Sequence, residues 1–234
     1  MKTKIGMRLA ALVGLLSATA SMAAIGTTPH NLAGTAAGDN GELCVYCHTP
    51  HQANVLFTGA PIWNKAEPLT TFTMYGGGTT LAGTVVDAAP GASSLACLSC
   101  HDGVSAVDSI LNAPGSGMNT IAGGSLIGDI NTSNASTIGA DLTNDHPVSI
   151  QYLGTGLADS PASLFAPTEP LTGWLGATTI ADILRPDPND ITVRDRVECG
   201  SCHDPHNGNN PANEVNYLRS TNVGSALCMG CHDK

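Results

Sequence analysis

This chain is short of what an ordinary soluble domain is built from. Of its 234 residues only 12% are charged and 4% aromatic, with three Phe, four Tyr and two Trp. A conventional core of large side chains is hard to assemble from that supply. Lys and Arg number nine against nineteen Asp and Glu, and no basic cluster occurs, so no nucleic-acid partner is indicated. Beyond the N-terminus no segment has the length and apolarity to cross a membrane. No cysteine is odd, and no Cys-x-x-Cys-Lys variant occurs.

What is there is a pattern of cysteine and histidine. The eight cysteines form four Cys-x-x-Cys pairs, each followed at once by histidine: Cys44, Cys47 and His48; Cys97, Cys100 and His101; Cys199, Cys202 and His203; Cys228, Cys231 and His232. This is the spacing of c-type haem attachment. One short turn presents two thiols to the porphyrin vinyl groups, and the adjacent imidazole becomes the proximal iron ligand. Disulfides, zinc knuckles and thioredoxin-like pairs use the same Cys-x-x-Cys spacing but do not require the histidine. At the abundance of histidine here, four chance repeats have a probability on the order of one in a million. Four haems c are expected.

The N-terminus reads as an export leader. Lys2, Lys4 and Arg8 form a basic head, Leu9 to Leu16 an apolar run too short to span a bilayer, and Ser21-Met22-Ala23 a small-residue cleavage site. The organisation expected is a signal peptide over 1–23 and a single tetrahaem domain over 24–234. Removing the leader takes away three basic residues, moving the formal charge from −10 to −13. Such a surface attracts cations and basic partners at low salt. Export places the protein outside the cell or on its outer surface, with the periplasm as the alternative.

The expected fold class is a multihaem cytochrome, mostly loops with a few short helices wrapped round a haem chain and little or no β-sheet. The haems act as the core, as staples do in small scaffolds. Short helices are expected at 42–48, 94–101 and 225–232, the last two with Ser94 and Ser225 as N-caps. Most of 104–192 carries no hydrophobic period and reads as long loops. Two sequons, at Asn131 and Asn134, read as polar surface loop.

Four histidines remain: His30, His51, His146 and His206. One spare imidazole for each haem is what bis-histidine ligation needs. Met74, Met118 and Met229 are the other available distal ligands. The order also repeats. A lone histidine precedes "CVYCHTPH" and "CLSCHD", then another precedes "CGSCHDPH" and "CMGCHD", so 24–102 and 145–234 read as two dihaem modules joined by a loop-rich segment. His51 lies three residues after His48, a reach of about 10 Å even when extended, too little to round the edge of a porphyrin. His51 must therefore serve another iron, and so must His206, with Pro50 and Pro205 directing each away from the histidine before it.

The strings "TPHNL", "ELCVYCHTPH", "APIWNK", "FTMYGG", "LACLSCHDG", "NDHPVS", "VECGSCHDPH" and "ALCMGCHDK" resemble, in this order, the doubled Cys-x-x-Cys-His multihaem cytochromes. In length and haem count the chain is most similar to the tetrahaem outer-surface cytochromes of metal-reducing bacteria that polymerise into conducting filaments. The resemblance implies a low-potential bis-histidine haem chain with little secondary structure. For the filament branch it implies one distal histidine given to a neighbouring subunit, from a position like His30 or His51. Eight histidines for eight axial sites leave no necessary vacancy, so electron transfer is expected rather than catalysis. Partners would be further copies of the chain, other redox proteins or extracellular acceptors. The alternatives are a monomeric periplasmic shuttle and a multihaem oxidoreductase acting on a small nitrogen compound.

Overall fold

A computed structural model describes residues 25–34, 40–57, 59–76, 85–105, 107, 109–113, 138–152, 164–207 and 217–233. The leader, both sequons and Met118 lie outside them. Among the described residues no helix is long and apolar enough to cross a membrane. Regular structure is sparse. In chain order come α1 (Ala92–His101), β1 (Ile150–Gln151), α2 (Ile180–Ile183), β2 (Arg185–Pro186), β3 (Arg194–Val197), α3 (Cys199–Cys202) and α4 (Ala226–Met229), the last entered through a 3-10 turn at Val223–Ser225.

Two helix expectations hold in part and one fails. α1 starts at Ala92 behind Gly91, so Ser94 is not its cap. Its hydroxyl is used elsewhere, accepting from the Cys199 N–H at 3.1 Å and donating to the Glu198 carboxylate. Ser225 does precede α4, but in a left-handed conformation (φ 62°) and without a side-chain capping bond. The stretch 42–48 closes only as a turn, with the Cys47 and His48 N–H groups donating to the Cys44 carbonyl at 3.1 and 2.8 Å. Asn40 and Gly41 just before it have φ of 56° and 72°, and Pro50 follows, so no room is left for a longer helix.

The described residues are mostly loops, as expected, yet those of 138–152 and 164–192 include regular elements that the sequence did not suggest. β1, β3 and β2 form a small antiparallel sheet in that order, with Ile150 opposite Val197 and Arg185 opposite Arg196. Val86 adds a bridge to Ile150, which ties the first half of the chain to the second. At the sheet Arg196, 3% exposed, meets Asp87 at 2.9 Å, Asp187 at 2.6 Å and Asp195 at 2.6 Å. A buried guanidinium needs that many acceptors to replace its water. α2 is a single turn made possible by its start: Thr179 and Asp182 form a capping box. Backbone and side-chain hydrogen bonds from Thr178 and Thr179 hold the Asp182 carboxyl down at about 2.

Among the described residues side chains build two small clusters. Tyr152, Leu171, Trp174, Ala177, Ile180, Ile183 and Leu184 form one, with Leu227 and Cys231 packed against it. Val45, Tyr46 and Val107 form the other, bordered by Cys47 and Cys100. Each cluster thus abuts at least one cysteine of the Cys-x-x-Cys-His motifs.

Candidate haem attachment sites

The four motifs fold alike. Cys44, Cys199 and Cys228 each accept, through their carbonyl, the N–H of the histidine four residues on: His48 at 2.8 Å, His203 at 3.0 Å and His232 at 2.9 Å. The second motif is the last turn of α1, whose bounds end at His101. One helical turn sets two thiols and an imidazole on one side of the backbone, as bonding to a single ring edge requires.

Three sites share a second device that the sequence did not announce. The carbonyl of the second cysteine, which a single turn leaves unsatisfied, accepts from a passing extended segment: Asn64 N–H to Cys47 at 2.9 Å, Arg219 to Cys202 at 2.8 Å, and Phe165 to Cys231 at 2.9 Å. In each case the residue before that donor bridges the motif histidine: Trp63 with His48, Leu218 with His203, Leu164 with His232. The clamps also carry side-chain contacts. Asn64 donates to Val45 O at 2.6 Å and Asn112 O at 2.9 Å. Arg219 donates to Gly200 O at 3.0 Å and Leu175 O at 2.8 Å. Lys65, 2% exposed, donates to the Val107 and Ser109 carbonyls at 2.9 and 3.1 Å. A tryptophan in so aromatic-poor a chain, within "APIWNK", was the available signal for the first clamp.

The sites lie next to one another in sequence order. Cys47 and Cys100 are close enough for their charges to interact, and both thiols are pushed up chiefly by burial, Cys47 to about 12. The Cys97 thiol is raised well above its usual value, first by its hydrogen bond with Cys199 and then by burial. Cys202 and Cys231 are each pushed up to about 11, mainly by burial and further by nearby thiols, Cys199 and Cys228 for the first and Cys202 and Cys228 for the second. α1 packs directly on α3, bringing the second and third motifs together. Gly200 sits in that contact, where a Cβ would lie 3.4 Å from Ser93 Oγ and 3.2 Å from Arg185 Nε. Beneath it Glu198, 2% exposed, accepts from Ser94 and, at 3.0 Å, from Ser149. Burial raises this carboxyl to about 7 against the lowering by both hydroxyls.

The remaining histidines separate into two groups. His30 packs on Tyr217 with ring centroids 4.3 Å apart, and its backbone N–H donates to the Tyr217 hydroxyl at 2.8 Å. Burial, followed by His101, lowers its pKa to about 4, while a hydrogen bond to Pro205 O opposes this. Its ring lies 6.1 Å from that of His101, and that of His206 lies 6.0 Å from that of His48. His51 and His146 are exposed and, among the described residues, make no ring contact with another imidazole. The Nδ1 of His146 is 2.9 Å from Pro147 O. Met74 is half-buried, and Met229 lines the fourth site beside His232.

Residues 192–234 match the family of the doubled CXXCH motif. The matched span holds the third and fourth motifs, Cys199 to His203 and Cys228 to His232. The match marks this segment as a feature of the multihaem c-type cytochrome kind. Its chemistry is covalently bound haem c, and its role is that of a haem-binding electron-transfer cytochrome. No curated protein matches the chain.

The residues present fit such a group. All eight thiols are free, so the disulfide arrangement is not adopted. Among the described residues no three His, Cys, Asp or Glu side chains converge as a metal ion's donor set, unlike the Cys-rich clusters of zinc knuckles. The raised thiols of Cys47, Cys202 and Cys231 are the reverse of the thiolates that redox-active pairs require. At the fourth site an open hollow of about 480 Å³ is lined by Gly224, Ser225, Cys228, Met229 and His232. The Nδ1 of His48 lies 2.9 Å from Pro61 O. That contact would orient the imidazole of a proximal ligand and leave its Nε2 for a metal.

Proposed function

We propose that the chain is an exported tetrahaem c-type cytochrome that carries electrons along a row of bis-histidine haems and polymerises into an extracellular filament. The observation that carries this reading is the unbroken adjacency of the four motif turns: Cys47 by Cys100, Cys97 by Cys199, Cys231 by Cys202. Thioethers at those thiols would hold successive porphyrins within short electron-transfer distance. Each haem, when bound, supplies a one-electron couple. The protein's own levers are ligand identity, burial and spacing. The chain does this work by clamping His48, His203 and His232, filling the space between sites and shielding Cys47, Cys202 and Cys231.

The polymer reading is favoured by His51. It is exposed, its backbone is tied down where the Thr49 hydroxyl donates to its carbonyl at 3.0 Å, and it cannot reach the far face of the haem it follows. An anchored, outward imidazole suits donation to the iron of a second copy. The terminal haems near Cys44 and Cys228 are the ones a polymer would stack, and both cysteines are exposed.

Mass spectrometry of the mature chain is the first test. Four haem additions on a chain that begins after residue 23 are expected, and fewer than four overturns the tetrahaem reading. Electron microscopy of material sheared from cells then separates filament from shuttle. Globular monomers with every iron six-coordinate at high dilution would leave a periplasmic carrier, and a high-spin ferric haem in the assembled protein would favour an oxidoreductase.

A further inference from the structure

Two imidazole pairs stand at a separation that direct ring contact does not explain. The planes of His48 and His206 are 6.0 Å apart between centroids and inclined by 14°; those of His30 and His101 are 6.1 Å apart and inclined by 54°. Compare His30 on Tyr217, a face-to-face stack at 4.3 Å. A metal–imidazole bond is about 2 Å long and the ring centroid lies roughly 1 Å beyond the nitrogen, so two imidazoles on opposite sides of one metal have centroids about 6 Å apart. Both pairs have that spacing. Each contains one proximal histidine of a Cys-x-x-Cys-His motif and one histidine outside the motifs.

From this geometry, and resting on the reading that the motifs carry haem, we infer that His206 is the distal ligand of the first haem, opposite His48, and His30 that of the second, opposite His101. The surroundings of the rings agree. A ligating histidine uses its other nitrogen on a carbonyl or carboxylate, which fixes ring orientation. His48 has Pro61 O at 2.9 Å, His30 has Pro205 O, and His206 Nδ1 faces Asp204 Oδ1 at 3.6 Å. The turn Asp204-Pro205-His206 serves both pairs: Pro205 steadies His30 while His206 reaches His48. Arg219, 3.6 Å from Asp204 Oδ2, and the bond from the Asp204 N–H to Tyr217 O at 2.8 Å hold that turn in place. The first haem is therefore completed from the other half of the chain. The two sequence modules are interlocked rather than serial, and the N-terminal half alone lacks one axial ligand.

The test uses the haem-loaded full chain. His206→Ala is expected to retain four covalent haems by mass and to turn one of them high-spin in its electron paramagnetic resonance and visible spectra. In a background lacking the first attachment site (Cys44→Ser with Cys47→Ser), which carries three haems, His206→Ala should add no further high-spin haem. A new high-spin haem there would show that His206 serves another iron and would overturn the assignment. The corresponding pair is His30→Ala in wild type and in Cys97→Ser with Cys100→Ser. Should a three-haem background fail to fold, a density map of the wild-type loaded protein decides: His48 and His206 must flank one iron, and any other ring opposite His48 refutes the inference. Absence of covalent haem by mass would instead overturn the cytochrome reading itself.

Discussion

Glu198 is where pH should act on this fold, and Glu198→Gln isolates the effect. The carboxyl lies between the second and third attachment turns, 2% exposed, accepting the Ser94 and Ser149 hydroxyls on one oxygen while the other, Oε1, has no partner. Those hydroxyls are themselves fixed, Ser94 by the Cys199 N–H at 3.1 Å and Ser149 by the Gly91 N–H at 2.8 Å, so they cannot turn to solvate a second charge. Burial consequently favours the neutral acid and raises its pKa from 4.5 to about 7. The folded state thus holds a proton that the unfolded state gives up earlier. The stability this confers is fully present below pH 4.5 and is lost as pH rises toward about 7. At 1.36 kcal/mol for each pH unit between those values, the loss amounts to about 3 kcal/mol. Gln keeps an acceptor for both hydroxyls and cannot ionise. Guanidinium unfolding of both proteins at intervals from pH 4 to pH 8 should show the variant gaining about 3 kcal/mol relative to wild type across that range. All other titrating groups cancel in the difference. A difference that stays constant with pH would refute the reasoning.

Gly230→Ala should cost about 1–3 kcal/mol in unfolding experiments, because its Cβ would fall 2.9 Å from Trp174 Cε2; Trp174→Leu in the same chain should recover part of that loss by opening the site. Arg196→Met should cost about 3–5 kcal/mol by stranding Asp87, Asp187 and Asp195, whose oxygens lie 2.6 to 2.9 Å from the guanidinium; denaturation at pH 7 measures it, and a smaller loss in acid is expected as the carboxylates protonate. Asn64→Ala removes the bonds to Val45 O and Asn112 O and should lower stability by about 1–3 kcal/mol, with loosened ligation at His48 visible as a changed low-spin spectrum at the first haem alone.

The chemistry of this protein was legible in the sequence because it is local. A thiol pair and an imidazole within five residues need only one helical turn to act together, and a turn is set by its own backbone. So the four Cys-x-x-Cys-His turns, the haem c chemistry of the matched pair and the scarcity of regular structure could be read from spacing and composition. The cap assigned to Ser94 could not, since its hydroxyl is claimed by Glu198 and Cys199, which are remote in the chain. Nor could the sheet: β1 and β2 are two residues each, too short to show a period, and exist because β3 and the Arg196 ion network gather them. The clamps at Trp63-Asn64, Leu218-Arg219 and Leu164-Phe165 have no common motif, for they act through backbone groups that every residue possesses. Sequence shows four histidines outside the motifs and leads to the expectation that His206 serves another haem than the one it follows. Which imidazole meets which depends on how loops from the two halves cross, and only the tertiary structure brings His206 to His48 and His30 to His101.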